Sequence, residues 1–263
     1  MEKATRSGVS KYFLEYPKGA VWLIILGVPL LFAFGLGIIL IIIGLKWLSG
    51  WKKQPTDRQI DALIEDDLSK LRTQALDKTG LDLSELEADT VVLYGPRFWN
   101  TGGADIGIKK GKDDIIRFTP LGVTIINFTQ NQLVAYQCAL DLATGNALSE
   151  STDEYFYRDV VSVSTQSESV TWDKDILNVK EVKNGPLGAF LKGDKLQFNA
   201  AETFVLTTSG GTSLKVVLRD LKLMESLGGG EIPTDIADKA VQSVRRMLRD
   251  KKSDRRELGS DLV

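Results

Sequence analysis

The sequence predicts a membrane-anchored α+β protein: a hydrophobic N-terminal helix or helical hairpin, an amphipathic helix, then an antiparallel β-sandwich or barrel capped by a C-terminal helix. Three observations predict it. Residues 20–48 form an apolar run with a single charge, Lys46; short β-rich runs bounded by Gly, Pro, Asn and Asp fill 90–219; and no strong helical pattern separates those runs. At 263 residues, 43% hydrophobic and 26% charged, the chain can build one or two domains with a real core.

The segment 1–19 reads as cytoplasmic or interfacial, and 20–48, AVWLIILGVPLLFAFGLGIILIIIGLKWL, as membrane-inserted. The run exceeds the roughly 20 residues that span a bilayer core. It is about twice the usual length of a signal-peptide core and lacks a small-residue cleavage site after it. Trp22, Trp47 and Trp51, with Lys52 and Lys53, stand where interfacial residues belong. As one helix the run would be about 43 Å long, more than a core of roughly 30 Å needs. Pro29 and Gly35-Leu36-Gly37 also permit a hairpin with short arms, and Arg6, Lys11 and Lys18 before the run balance Lys46, Lys52, Lys53 and Arg58 after it. Single span and hairpin both stand. The expected location is the inner membrane of a bacterium, with the main domain facing the cytoplasm.

Residues 54–80 predict an amphipathic helix of about 22 residues. Thr56 and Gln59 have capping-box spacing, Ile60, Leu63, Ile64, Leu68, Leu71 and Leu76 recur near helical period, and Gly80 supplies a stop. Glu65-Asp66-Asp67 reads as a solvated acidic face, since successive helical residues point in different directions.

The β-domain is expected over 90–250, with strands at 90–95, 114–120, 122–128, 132–142, 155–167, 195–209 and 212–220. ATGN (143–146) and SGG (209–211) read as hairpin turns. In YFYRDVVSVSTQSESV (155–170), Phe156, Val160 and Val163 are expected to face the core, with Tyr155, Tyr157 and Arg158 near the edge and Arg158-Asp159 closing a corner. After LGGG (227–230), read as a hinge, Ile236, Ala240, Val241, Val244, Met247 and Leu248 form the apolar stripe of a last helix. Its polar side is basic, with Arg245, Arg246 and Arg249, and 251–263 reads as a polar tail.

FTPLGVTIIN (118–127), YFYRDVVSVSTQ (155–166), ETFVLTT with SLKVVLRD, and ADKAVQSVRRML (237–248) together resemble the bacterial PH-like domains, relatives of pleckstrin-homology and GRAM domains. Tyr157, Asp159, Val160 and Val163 match a Y-x-D-[IV]-x-x-V pattern similar to one in that family, and the resemblance covers about 115–245. It implies a β-barrel of about seven strands with a C-terminal helix and a binding role. Lipid-binding members carry a basic first hairpin; here the comparable run is IKKGKDD (108–114), where Lys109, Lys110 and Lys112 stand beside two aspartates. A solvated turn fits that run better than a phosphoinositide pocket.

Chemistry is scarce. The chain has no histidine and one cysteine, Cys138, which removes Ser-His-Asp and Cys-His nucleophiles, His-ligated zinc and an intrachain disulfide. Phosphate-loop, dinucleotide, zincin and nucleophile-elbow motifs are missing from the sequence. Asp153, Glu154, Asp173 and Asp175 are the carboxylates from which an enzyme would have to be assembled, and nothing in their spacing selects them.

The expected function is therefore non-enzymatic: an inner-membrane adaptor or sensor whose PH-like domain binds a protein partner or the membrane surface. Candidate binding residues are Lys109, Lys110, Lys112, Tyr157, Arg158, Arg245, Arg246 and Arg249. Expected partners are membrane lipids, a protein and copies of the same chain, without nucleic acid, cofactor or metal. The alternative is a membrane-disrupting effector gated by a ligand on the β-domain, and after it a carboxylate-based enzyme.

Overall fold

The computed structural model describes residues 3–14, 16–31, 36–98, 100–173, 191–192, 195–220, 238 and 241–251. Two compact units are present, 1–64 and 65–263.

In the first unit, α1 (Arg6–Tyr12) and the start of α4 (Asp57–Thr79) make a small core. Val9, Tyr12 and Ile60 are buried, the Tyr12 hydroxyl donates to Asp57 Oδ1 at 2.7 Å, and the Ala4 amide donates to the Gln59 carbonyl. The capping box forms as its spacing predicts: Thr56 N donates to Gln59 Oε1 at 3.0 Å and Gln59 N to Thr56 Oγ1 at 3.3 Å. Gly80, at φ +66°, ends α4, and the Leu81 amide turns back to the Leu76 carbonyl.

The apolar run is two helices, α2 (Lys18–Leu30) and α3 (Leu36–Lys52), packed against each other. This corrects the membrane-anchored fold class and the transmembrane and inner-membrane expectations: among the described residues no helix is long and apolar enough to cross a membrane. The physical reason lies in the seam. A Cβ on Gly27 would meet Ile41 Cγ1 at 2.6 Å, one on Gly44 would meet the Ala20 carbonyl oxygen at 2.7 Å, and one on Gly37 would run into the Gly27 carbonyl. Glycine at these three positions lets the two halves close on each other, so the run folds into helices of 13 and 17 residues.

The second unit carries two antiparallel sheets. The first has the order β1-β4-β5-β6, from Val91–Pro96, Leu121–Phe128, Gln132–Leu140 and Ala147–Phe156. The second has β10-β9-β7, from Ser213–Asp220, Lys195–Thr208 and Val160–Asp173, with the short β8 (Leu191–Lys192) on β9. A separate hairpin joins β2 (Gly107–Lys110) to β3 (Ile116–Thr119). Leu93, Ile126, Phe128, Leu133, Tyr155, Phe204, Leu206 and Val216 form one core shared by both sheets, and helix α5 (241–251) adds Val241, Val244 and Leu248 to it. The ATGN and SGG turns form, with Gly145 at φ +79° and Gly211 at φ +82°.

Three local expectations change. The stretch 155–167 is not one strand: β6 ends at Phe156, Tyr157–Asp159 turn, and β7 begins at Val160. Tyr155 and Tyr157 are buried and Phe156 is exposed, the reverse of the expected facing, because β6 brings Tyr155 opposite Leu133 and so sets the alternation. Asp67 is 2% exposed rather than solvated; its place on α4 shares the buried side with Leu71 and Ala75. The LGGG hinge, Asp175 and residues 252–263 lie outside the described residues.

Candidate functional site

The β2–β3 turn is built around Arg117, whose side chain is 2% exposed. Its Nη1 and Nη2 donate to Asp113 Oδ1 and Oδ2 at 2.9 and 2.7 Å, and Nη1 also reaches the Ile115 carbonyl at 3.2 Å. The hydrogen bonds from Arg117 hold the Asp113 carboxyl at about 2, below its usual 3.8. The folded value is depressed, so the pair stabilises the fold above pH 4 and that stabilisation is lost as pH falls from about 4 towards 2. Asp113→Asn is expected to cost about 1–3 kcal/mol at neutral pH, since a buried guanidinium loses its charged acceptor. Urea midpoints from pH 7 to pH 2 should converge for native and variant protein at the acid end; parallel curves would disprove the pairing. Lys110 is tied to Asp114 at 3.1 Å, and Lys109 and Lys112 are also engaged. Lys109 and Lys110 are half-buried on β2 and Lys112 is exposed in the turn that follows.

At the β6–β7 corner, Tyr157 is buried and its hydroxyl donates to the Thr129 carbonyl at 2.8 Å. Arg158 lies over the Phe156 ring at 5.3 Å and beside Asp159 at 3.5 Å. Both residues shape the corner. A second polar node was not foreseen: the Glu150 carboxylate accepts from Tyr136 Oη at 2.7 Å and Gln74 Nε2 at 3.0 Å, with Lys78 Nζ at 3.4 Å. Burial raises the Glu150 carboxyl, but these donors outweigh it and leave it below its ordinary value. Burial pushes the Cys138 thiol up to about 11, so it stays protonated and inert at neutral pH. The node fastens α4 to the sheet. Asp153 and Glu154 are exposed on β6, with Glu154 held by Gln132 at 2.9 Å. Among the described residues no three His, Cys, Asp or Glu side chains gather as metal ligands would.

Two features remain without a structural use. The first is the α2–α3 hairpin. Trp22, Ile25, Leu26 and Val28 on α2, and Ile38, Ile39, Ile42, Ile43 and Trp47 on α3, are each about half exposed. The seam positions Ala20, Gly27, Gly37 and Gly44 cluster on one side of each helix at 100° per residue, and the exposed apolar side chains occupy the rest. Trp47 packs against Gly19 at the open end of the hairpin, and Trp51 meets Tyr16 edge to face at 5.0 Å. Lys18, Lys46, Lys52 and Lys53 are exposed at that end, and no Asp or Glu occurs between Tyr16 and Thr56.

The second feature is a cleft of about 610 Å³ on α5, lined among the described residues by Gln242, Ser243, Arg245, Arg246 and Arg249. Of the eight residues expected to bind, the three arginines of α5 line this cavity. Gln242 and Ser243 were missed; their helical spacing from Arg246 and Arg249 was the available signal. Comparison of the chain with protein-family models, with curated proteins and with solved structures finds no match.

Proposed function

We propose that this chain is a non-enzymatic adaptor that works at a lipid surface, which it meets through the exposed apolar side chains of the α2–α3 hairpin. The carrying observation is the set of exposed apolar side chains that, among the described residues of the hairpin, lie on the sides away from its seam. Exposed apolar side chains of this kind suit the headgroup–acyl boundary of a lipid surface. Tryptophans at the open end, with lysines and no carboxylate, suit the headgroup layer and anionic lipid.

The β-domain is then the part that the hairpin carries to the surface, where it recruits a protein partner. Its two packed antiparallel sheets and the core-facing α5 support a PH-like reading. The absence of histidine and the inert Cys138 favour binding over catalysis.

Flotation with vesicles of phosphatidylcholine and phosphatidylglycerol tests this. The full chain is expected to float, and Ile25→Asp with Ile42→Asp to stay at the bottom. Both side chains are exposed, so the substitutions leave the fold intact, while each replaces an apolar contact by a carboxylate at the lipid surface. Together they should cut partitioning by about a hundredfold or more. A double variant that floats like the native chain overturns the proposal, as does a native chain that does not float.

A further inference from the structure

We propose that the arginine cleft on α5 is a binding site for a phosphoryl group, borne by a small phosphorylated molecule or by a lipid headgroup. The site belongs to the second unit and does not rest on the reading built on the hairpin.

Helix rotation comes first. Val241, Val244 and Leu248 are buried in the core shared by the two sheets, with Met247 packed beside them. That fixes which side of α5 is left, and on it Gln242, Arg245, Arg246 and Arg249 recur at helical spacing around the cleft. Arg245 is held in place: its Nη2 donates to Thr165 Oγ1 on β7 at 3.0 Å, leaving its remaining N–H groups to be aimed by that contact. Arg246 and Arg249 are exposed, and neither has a hydrogen-bond or ion-pair partner among the described residues. The neighbouring cation Lys251 is already committed, to Glu87 at 2.8 Å.

Three guanidinium groups thus crowd one helix face where their mutual repulsion disfavours the free state. An oppositely charged ligand relieves it. Planar forks with paired N–H donors match the oxygens of phosphate better than a single point charge does. The Gln242 amide adds a neutral donor beside them. About 610 Å³ is more than one phosphate fills, which leaves room for the organic part of a phosphorylated ligand or headgroup.

The test uses the full chain and an Arg246→Gln, Arg249→Gln variant. Both side chains are exposed, so the thermal midpoint of the variant should match the native one. Titration calorimetry with inorganic pyrophosphate at low salt is the first arm. The second is the gain in flotation when phosphatidic acid is added to phosphatidylcholine vesicles, compared between the native chain and the variant, which share the hairpin and its lysines. Pyrophosphate binding weakened at least tenfold in the variant supports the site with a soluble ligand. No pyrophosphate binding, with a phosphatidic-acid gain that the variant loses, supports it with a lipid headgroup. The proposal is overturned if the native chain responds to neither probe, or if the variant keeps both responses unchanged.

Discussion

Phe204→Ala is expected to remove about 3–5 kcal/mol, against the roughly 5–15 kcal/mol that holds an ordinary domain folded. Phe204 is fully buried in the C-terminal half of β9, opposite Val216 of β10 on one side and Thr165 of β7 on the other. Its ring reaches the core shared by both sheets, which includes Leu93, Ile126 and Tyr155 of the first sheet and Val244 and Leu248 of α5. Truncation removes the transfer free energy of the ring and leaves a cavity whose walls belong to three different layers. Strands held by ladder hydrogen bonds collapse poorly into such a space, which puts the cost toward the upper part of the range. Urea unfolding of the native and variant chains measures it: the midpoint should fall while the slope is kept, since the surface exposed on unfolding is nearly the same. A loss below about 1 kcal/mol would mean that the two sheets and α5 do not share this core.

The parts of the fold readable from the sequence are those governed by local chemistry. Thr56, Gln59 and Gly80 bound α4 because caps are contacts within one turn. Runs such as GVTIINF and SLKVVLRD became β4 and β10 because β-branched residues between turn signals suit a pleated surface. β6 escaped notice because ALSESTDE is polar: its middle is exposed, and it is a strand by pairing with β5 rather than by any apolar alternation of its own. The facing of Tyr155 and Phe156 was lost for the same reason, because a strand's register is a property of its partner.

The hairpin and the cleft show the same division. Apolar character was legible in residues 20–48, yet the choice between one helix and two depends on glycines 27, 37 and 44 meeting backbone from the other arm, a long-range fact. Arg245, Arg246 and Arg249 were legible as a basic stripe. That they line one cavity depends on how α5 seats its apolar side in the core, and that Lys110 is paired depends on where Asp114 places its carboxylate.

Gly95→Ala should destabilise the second unit at or above the upper end of the ~1–3 kcal/mol usual for overpacking. Gly95 is on β1, opposite Gly122 of β4, at the edge where β1 approaches β10 of the other sheet. A Cβ there would run into the Val217 carbonyl oxygen, with the carbonyl carbon at 3.2 Å and the Leu218 carbonyl oxygen at 3.4 Å. All three atoms are backbone, so no rotamer change relieves the clash, and one strand must shift. Shifting β10 disturbs Val216 and Leu218, both buried in the shared core, while shifting β1 disturbs Leu93. Gly210→Ala is the matched control: its nearest atom would be Thr208 Oγ1 at 3.9 Å, and the change should stay within about 0.5 kcal/mol. Thermal and urea midpoints of the two variants decide the matter. If Gly95→Ala melts with Gly210→Ala, the β1–β10 edges are farther apart than described, and the closure of the two sheets around one core must be redrawn.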